Sequence, residues 1–132
     1  MIRRTLYIGH WKAYFFFCPN GYDETPILDL MYDLDASDYI LVKAEKKMRE
    51  GRPNEGFTFA NSRMKEALVV IGPSTSGAEF QDSLVHEIHH LAVAIADSLG
   101  VDLESETPAY VSGDSTRELA DVVCLLGCEK CN

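Results

Sequence analysis

The residues best suited to chemistry are His86-Glu87-Ile88-His89-His90, a His-Glu-x-x-His pattern. These types at this spacing suit metal-assisted hydrolysis. On a helix, positions i and i+4 differ by about 40° and lie one turn apart. Both His86 and His90 can then reach a single Zn²⁺ at about 2.0–2.1 Å. Glu87 lies about 100° round from His86, where it faces a metal-bound water instead of ligating the metal. Zinc lowers the pKa of such a water from about 15.7 to about 7, and a nearby carboxylate can take its proton. The pattern therefore predicts one Zn²⁺ per chain, with Glu87 as the catalytic general base.

These residues need a long helix to position them, and the sequence predicts one from about Ala78 to Leu99, stopped by Gly100. Phe80, Leu84, Ile88, Leu91, Ile95 and Leu99 form an apolar stripe opposite the two histidines. One face of the helix is thus expected on a core, and the other to present ligands. A catalytic zinc takes three protein ligands and keeps its fourth position open. Glu106 follows His90 by sixteen residues, enough for the helix to end and a second helix to return beside it. Pro108 suits the first turn of that second helix. Glu104 and Asp102 are rival third ligands. Tyr110, one turn beyond Glu106, could donate to a developing oxyanion or belong to a second layer around the metal, although core packing is the simpler expectation.

Residues 84–114 resemble the gluzincin type of HExxH zincins. They are most similar to the short metallopeptidases of prophages and mobile elements, in which H-E-x-x-H precedes an E-x-x-A-Y segment. Here that segment is Glu106-Thr107-Pro108-Ala109-Tyr110. The resemblance implies that His86, His90 and Glu106 bind zinc and that Glu87 is the base. It implies a small zincin-like fold whose sheet includes the G-F-T-F-x-N and V-V-I-G segments. Larger gluzincins place Asp four residues after the ligand Glu, where this chain has Tyr110, and the third histidine of metzincins is missing.

The remaining elements are predicted from local pattern. Arg4 to Ile8 and Trp11 to Phe17 read as a β-hairpin broken at Gly9-His10, its aromatic run destined for the core. A helix begins at Thr25-Pro26, and a second follows Ser37 as N-cap and ends at Gly51. Phe57 to Asn61 alternates as a strand, and Ala67 to Gly72 is an apolar strand suited to a sheet interior. Thr107 to Leu126 reads as helical, broken or bent around Gly113. The expectation is a single α+β domain over residues 1–132, with an antiparallel or mixed sheet packed against a long active-site helix and a following ligand-bearing helix. The strand Phe57 to Asn61 is a candidate edge for pairing with an extended peptide substrate.

The chain has 132 residues, 46% of them hydrophobic, and a formal net charge of −9. Residues 1–66 carry ten charges of each sign, whereas residues 67–132 hold two basic and eleven acidic side chains. This argues against nucleic acid as a partner, since phosphate needs a basic face. No apolar run reaches the roughly 20 residues of a membrane span, and no secretory leader is apparent, so a cytoplasmic protein is expected. Cys124, Cys128 and Cys131 form a tail whose spacing resembles a metal knuckle, with Cys18 as the available fourth ligand, although packed thiols are the stronger expectation. The main expectation is a zinc metallopeptidase. The alternative is a zinc-stabilised interaction or regulatory module without useful turnover.

Overall fold

The computed structural model describes residues 1–127. The two last cysteines of the tail, Cys128 and Cys131, lie outside the described residues. Strands β1 (Ile2–Ile8) and β2 (Trp11–Phe17) precede helices α1 (Glu24–Asp33) and α2 (Asp38–Glu50). Strands β3 (Gly56–Asn61) and β4 (Glu66–Ile71) follow, then helices α3 (Gly77–Ser98), α4 (Thr107–Glu118) and α5 (Ala120–Gly127). The fold is α+β, with one four-stranded mixed sheet in the order β1-β2-β4-β3. β1–β2 and β3–β4 are antiparallel pairs, and the central β2–β4 pair is parallel.

Local chemistry accounts for most boundaries. The Ser37 hydroxyl accepts the Ile40 N–H at the start of α2, and Gly51 ends that helix at φ 60°, a left-handed conformation that glycine adopts without strain. The Ser76 hydroxyl accepts the Glu79 N–H to start α3. β4 is buried on both faces from Ala67 to Ile71, as an interior strand with helices on either side should be. One core holds Phe15, Phe17, Val69 and Ile71 against Leu84, Ile88 and Leu91 of α3 and against residues of α4 and α5. On the other face, Phe16, Leu68 and Val70 pack against Ile27 and Met31 of α1 and Ala44 and Met48 of α2. Two cores back to back fix the sheet between α3 and the α1–α2 pair.

Two expectations need correction. The predicted helix over 107–126 is two helices, and it breaks at Leu119, not around Gly113. Gly113 continues α4 without a break, in a place where a Cβ would meet nothing within 4 Å. Leu119 is fully buried, and anchoring it in the core turns the chain so that Val122 of α5 also packs inward. At the end of α3, Leu99 is 56% exposed, so the apolar stripe stops at Ile95. Among the described residues, no helix is long and apolar enough to cross a membrane.

Candidate active site

His86 and His90 stand on the exposed side of α3 with their Nε2 atoms 3.1 Å apart and their ring planes at 81°. Two nitrogens bound to one zinc at about 2.05 Å with a tetrahedral angle would be about 3.3 Å apart. The pair is therefore already within a few tenths of an ångström of the spacing that one ion requires. The donor chemistry suits zinc, and in the absence of an ion the same 3.1 Å contact is a hydrogen bond between the two rings.

Glu87 lies between cleft and core and is only 5% exposed. β3 holds it from two directions. The Thr58 hydroxyl lies 2.9 Å from Glu87 Oε1 and 3.3 Å from the Glu87 carbonyl oxygen, and it donates to the carboxylate at the shorter distance. Gly56 lies against the same side chain. A Cβ at Gly56 would sit 3.3 Å from Glu87 Cγ and 2.3 Å from the Val70 carbonyl oxygen, so only glycine permits this approach. One carboxylate oxygen is thereby fixed, on a residue that lines the same cleft as the two histidines. Burial and the Thr58 bond make the carboxylate a positioned group instead of a freely rotating one.

His86, Glu87 and His90 share an open cleft of about 400 Å³ with Gly56 and Thr58 of β3 and Lys47 of α2. Lys47 Nζ donates to the Gly56 carbonyl oxygen at 2.6 Å. The loop leading into β3 is braced from behind. Asn54 N–H donates to the Pro73 carbonyl, Gly72 N–H to the Glu55 carbonyl, and the Tyr22 hydroxyl to that same Glu55 oxygen at 3.2 Å. Burial, reinforced by the negative charges of Glu55 and Glu87, pushes the Tyr22 hydroxyl up to about 12, so it remains a protonated donor.

The structure does not bring Glu106 to the histidine pair. α4 packs against α3 and β1, while the histidines face β3, and β1 and β3 are opposite edges of the sheet. Thr107 lines a cavity with Ile95 and Leu99 in the last turns of α3, beyond His90. Glu106 is exposed at the N-terminus of α4, and Asp102 and Glu104 are exposed in the preceding loop. Tyr110 is 67% exposed and lines the cavity at the α4 end, so it is neither core nor an oxyanion donor at the histidine cleft. Among the described residues, no group of three or more His, Cys, Asp or Glu side chains converges on a metal position. The acids that line the approach to His86 are instead Asp82, one turn before it on α3, and Glu55.

His89 and His10 are exposed. Cys18 is buried, and burial pushes its thiol up. Cys124 is on the exposed side of α5. Sequence reasoning missed Thr58 and Lys47. The signal for Thr58 was the alternation of β3, which puts Gly56, Thr58 and Ala60 on one face. Lys47 lies in the last turn of α2, where a basic residue also suits the helix dipole and so gives no sign of the cleft. Comparison of the chain with protein families, curated proteins and solved structures finds no match.

Proposed function

We propose that this chain is a cytoplasmic zinc-dependent metallopeptidase that hydrolyses peptide bonds in the cleft between α3 and β3. The observation that carries the reading is the His86–His90 pair at single-ion spacing beside a carboxylate that β3 holds in place. When bound, zinc supplies a Lewis acid that polarises the scissile carbonyl and acidifies an attacking water. His86 and His90 would hold the ion through Nε2, as two of the three protein ligands that a catalytic zinc takes; among the described residues no third such side chain joins them. Glu87 accepts a proton from the attacking water at its carboxylate and passes it to the leaving amine nitrogen. Thr58 keeps that carboxylate from turning away. β3 is an edge strand, and its outward main-chain groups suit pairing with an extended substrate. Glu106 has no part in this scheme, because it sits on the other flank of α3.

The test starts with the metal. Native mass spectrometry of protein purified without added metal should count about one Zn²⁺ per chain, and His86→Ala with His90→Ala should remove it. Glu87→Gln should retain metal and fold, because a glutamine carbonyl can still accept from Thr58. Its cleavage of a library-selected peptide should fall by roughly 10²–10⁴-fold. Wild-type protein that binds zinc but cleaves nothing, with a fourth protein ligand closing the ion, would replace the peptidase with a zinc-stabilised interaction module.

A further inference from the structure

A second groove lies on the opposite side of β3 from the histidines. It has a volume of about 230 Å³ and is walled by Met31, Ile40 and Ala44 from α1 and α2 and by Phe57 and Phe59 from β3. Lys43 and Lys47 stand on its rim. The other cations of this helix have carboxylate partners: Lys46 meets Glu50, and Arg49 meets Glu24 and Glu45. Lys43 and Lys47 have no carboxylate partner among the described residues, and Lys47 donates to a main-chain carbonyl. An apolar groove with two such ammonium groups on its rim complements an apolar side chain followed by an acid.

The geometry of β3 determines how such a ligand would lie. The Glu55 carbonyl accepts from Gly72, so the main-chain groups of alternate residues 57 and 59 face β4 and those of 56, 58 and 60 face the free edge. An extended peptide pairing with that edge would send alternate side chains to the two faces of the sheet. One set would face the histidine cleft and the other the α2 groove. Side chains two residues apart on such a strand are separated by about 6.6–6.8 Å. Lys43 and Lys47 are one turn apart along α2, about 6 Å. With both lysines on the rim, one peptide side chain can fill the groove while the next on that face lies beside an ammonium.

We propose that the groove between α2 and β3 is a specificity subsite for an extended peptide carrying an apolar residue and, two positions away, an aspartate or glutamate. The proposal rests on the peptidase reading only for a peptide being the natural occupant. Lys43 and Lys47 are then specificity-determining residues. Lys47 also marks one end of the pairing register, because it covers the outward carbonyl of Gly56.

The test uses the full-length chain in EDTA, so that no turnover intervenes, and fluorescein-labelled twelve-residue peptides in a Gly/Ser/Thr background. Three centres are compared by anisotropy: Leu-Thr-Glu, Leu-Thr-Lys and Ser-Thr-Glu. Leu-Thr-Glu should bind roughly tenfold or more tighter than Ser-Thr-Glu, the worth of one well-filled apolar pocket. It should bind about fivefold tighter than Leu-Thr-Lys, a margin that shrinks with added salt. Lys43→Glu, at an exposed position that does not contribute to the core, should reverse the Glu-over-Lys preference, and Lys47→Met should weaken it. Absence of binding by all three peptides overturns the proposal, as does a preference that Lys43→Glu leaves unchanged. Dimerisation in sedimentation that occludes the peptide assigns the groove to a second copy and also overturns it. Selective binding with no cleavage in zinc would leave the subsite standing and remove the peptidase reading. Cleavage without the preference would do the reverse.

Discussion

The two flanks of α3 differ in what they ask of their residues. Toward β1, α4 and α5 cover the helix with Val111, Leu119 and Val122, which join Leu91 and Ile95 in one apolar core. Toward β3 the cleft is polar and specific: Thr58 of β3 bonds Glu87, Lys47 of α2 bonds the Gly56 carbonyl of β3, and His86 stands beside His90 on α3. One flank holds the helix in place, and the other presents its chemistry. A ligand from α4 would have to cross from the first flank to the second, and for this reason spacing along the chain misplaces Glu106.

This contrast can be broken by substitutions chosen from each flank. Leu119→Ala should cost about 2–5 kcal/mol of stability by opening a core cavity, measured by chemical denaturation, with metal content unchanged below the unfolding transition. Loss of metal from folded Leu119→Ala protein would show that the flanks are not separable. Gly56→Ala should cost about 1–3 kcal/mol, because its methyl would collide with the Val70 carbonyl. This substitution should also reduce peptide cleavage, since the displaced strand carries Thr58. Normal cleavage would mean that Glu87 does not need β3. Gly113→Ala, in open space on α4, should stabilise the protein by about 1 kcal/mol and leave cleavage alone. Glu106→Gln should leave zinc stoichiometry and affinity unchanged, as read by competition with a chromogenic chelator. A marked loss of affinity would restore α4 as a ligand-bearing helix.

Much of the secondary structure was legible because it rests on local chemistry. Ser37 and Gly51 bound α2 by capping, and the unbroken apolar run of β4 marks an interior strand. The spacing of His86 and His90 is equally local, since a helix alone sets it. What could not be read is what depends on the side from which a neighbour approaches. Sixteen residues between His90 and Glu106 allow a return along either flank of α3, and only the packing of Val111 and Leu119 decides. The parallel β2–β4 pair joins segments about fifty residues apart, which no periodicity encodes. Thr58 was visible as a residue of a strand, but its bond to Glu87 requires knowing which face of that strand meets α3.

The lysine that covers the Gly56 carbonyl has a consequence for the protein in a crowded solution. A free strand edge invites identical chains to pair through their backbones and aggregate. A copy pairing at that edge would displace Lys47 from the Gly56 carbonyl and bury the ammonium groups of Lys47 and Lys43, like charges with no carboxylate partner among the described residues. Desolvating those like charges would oppose self-association at the edge, while a chain bearing carboxylates could still approach. The same two side chains could thus keep the edge open to foreign strands and closed to its own kind.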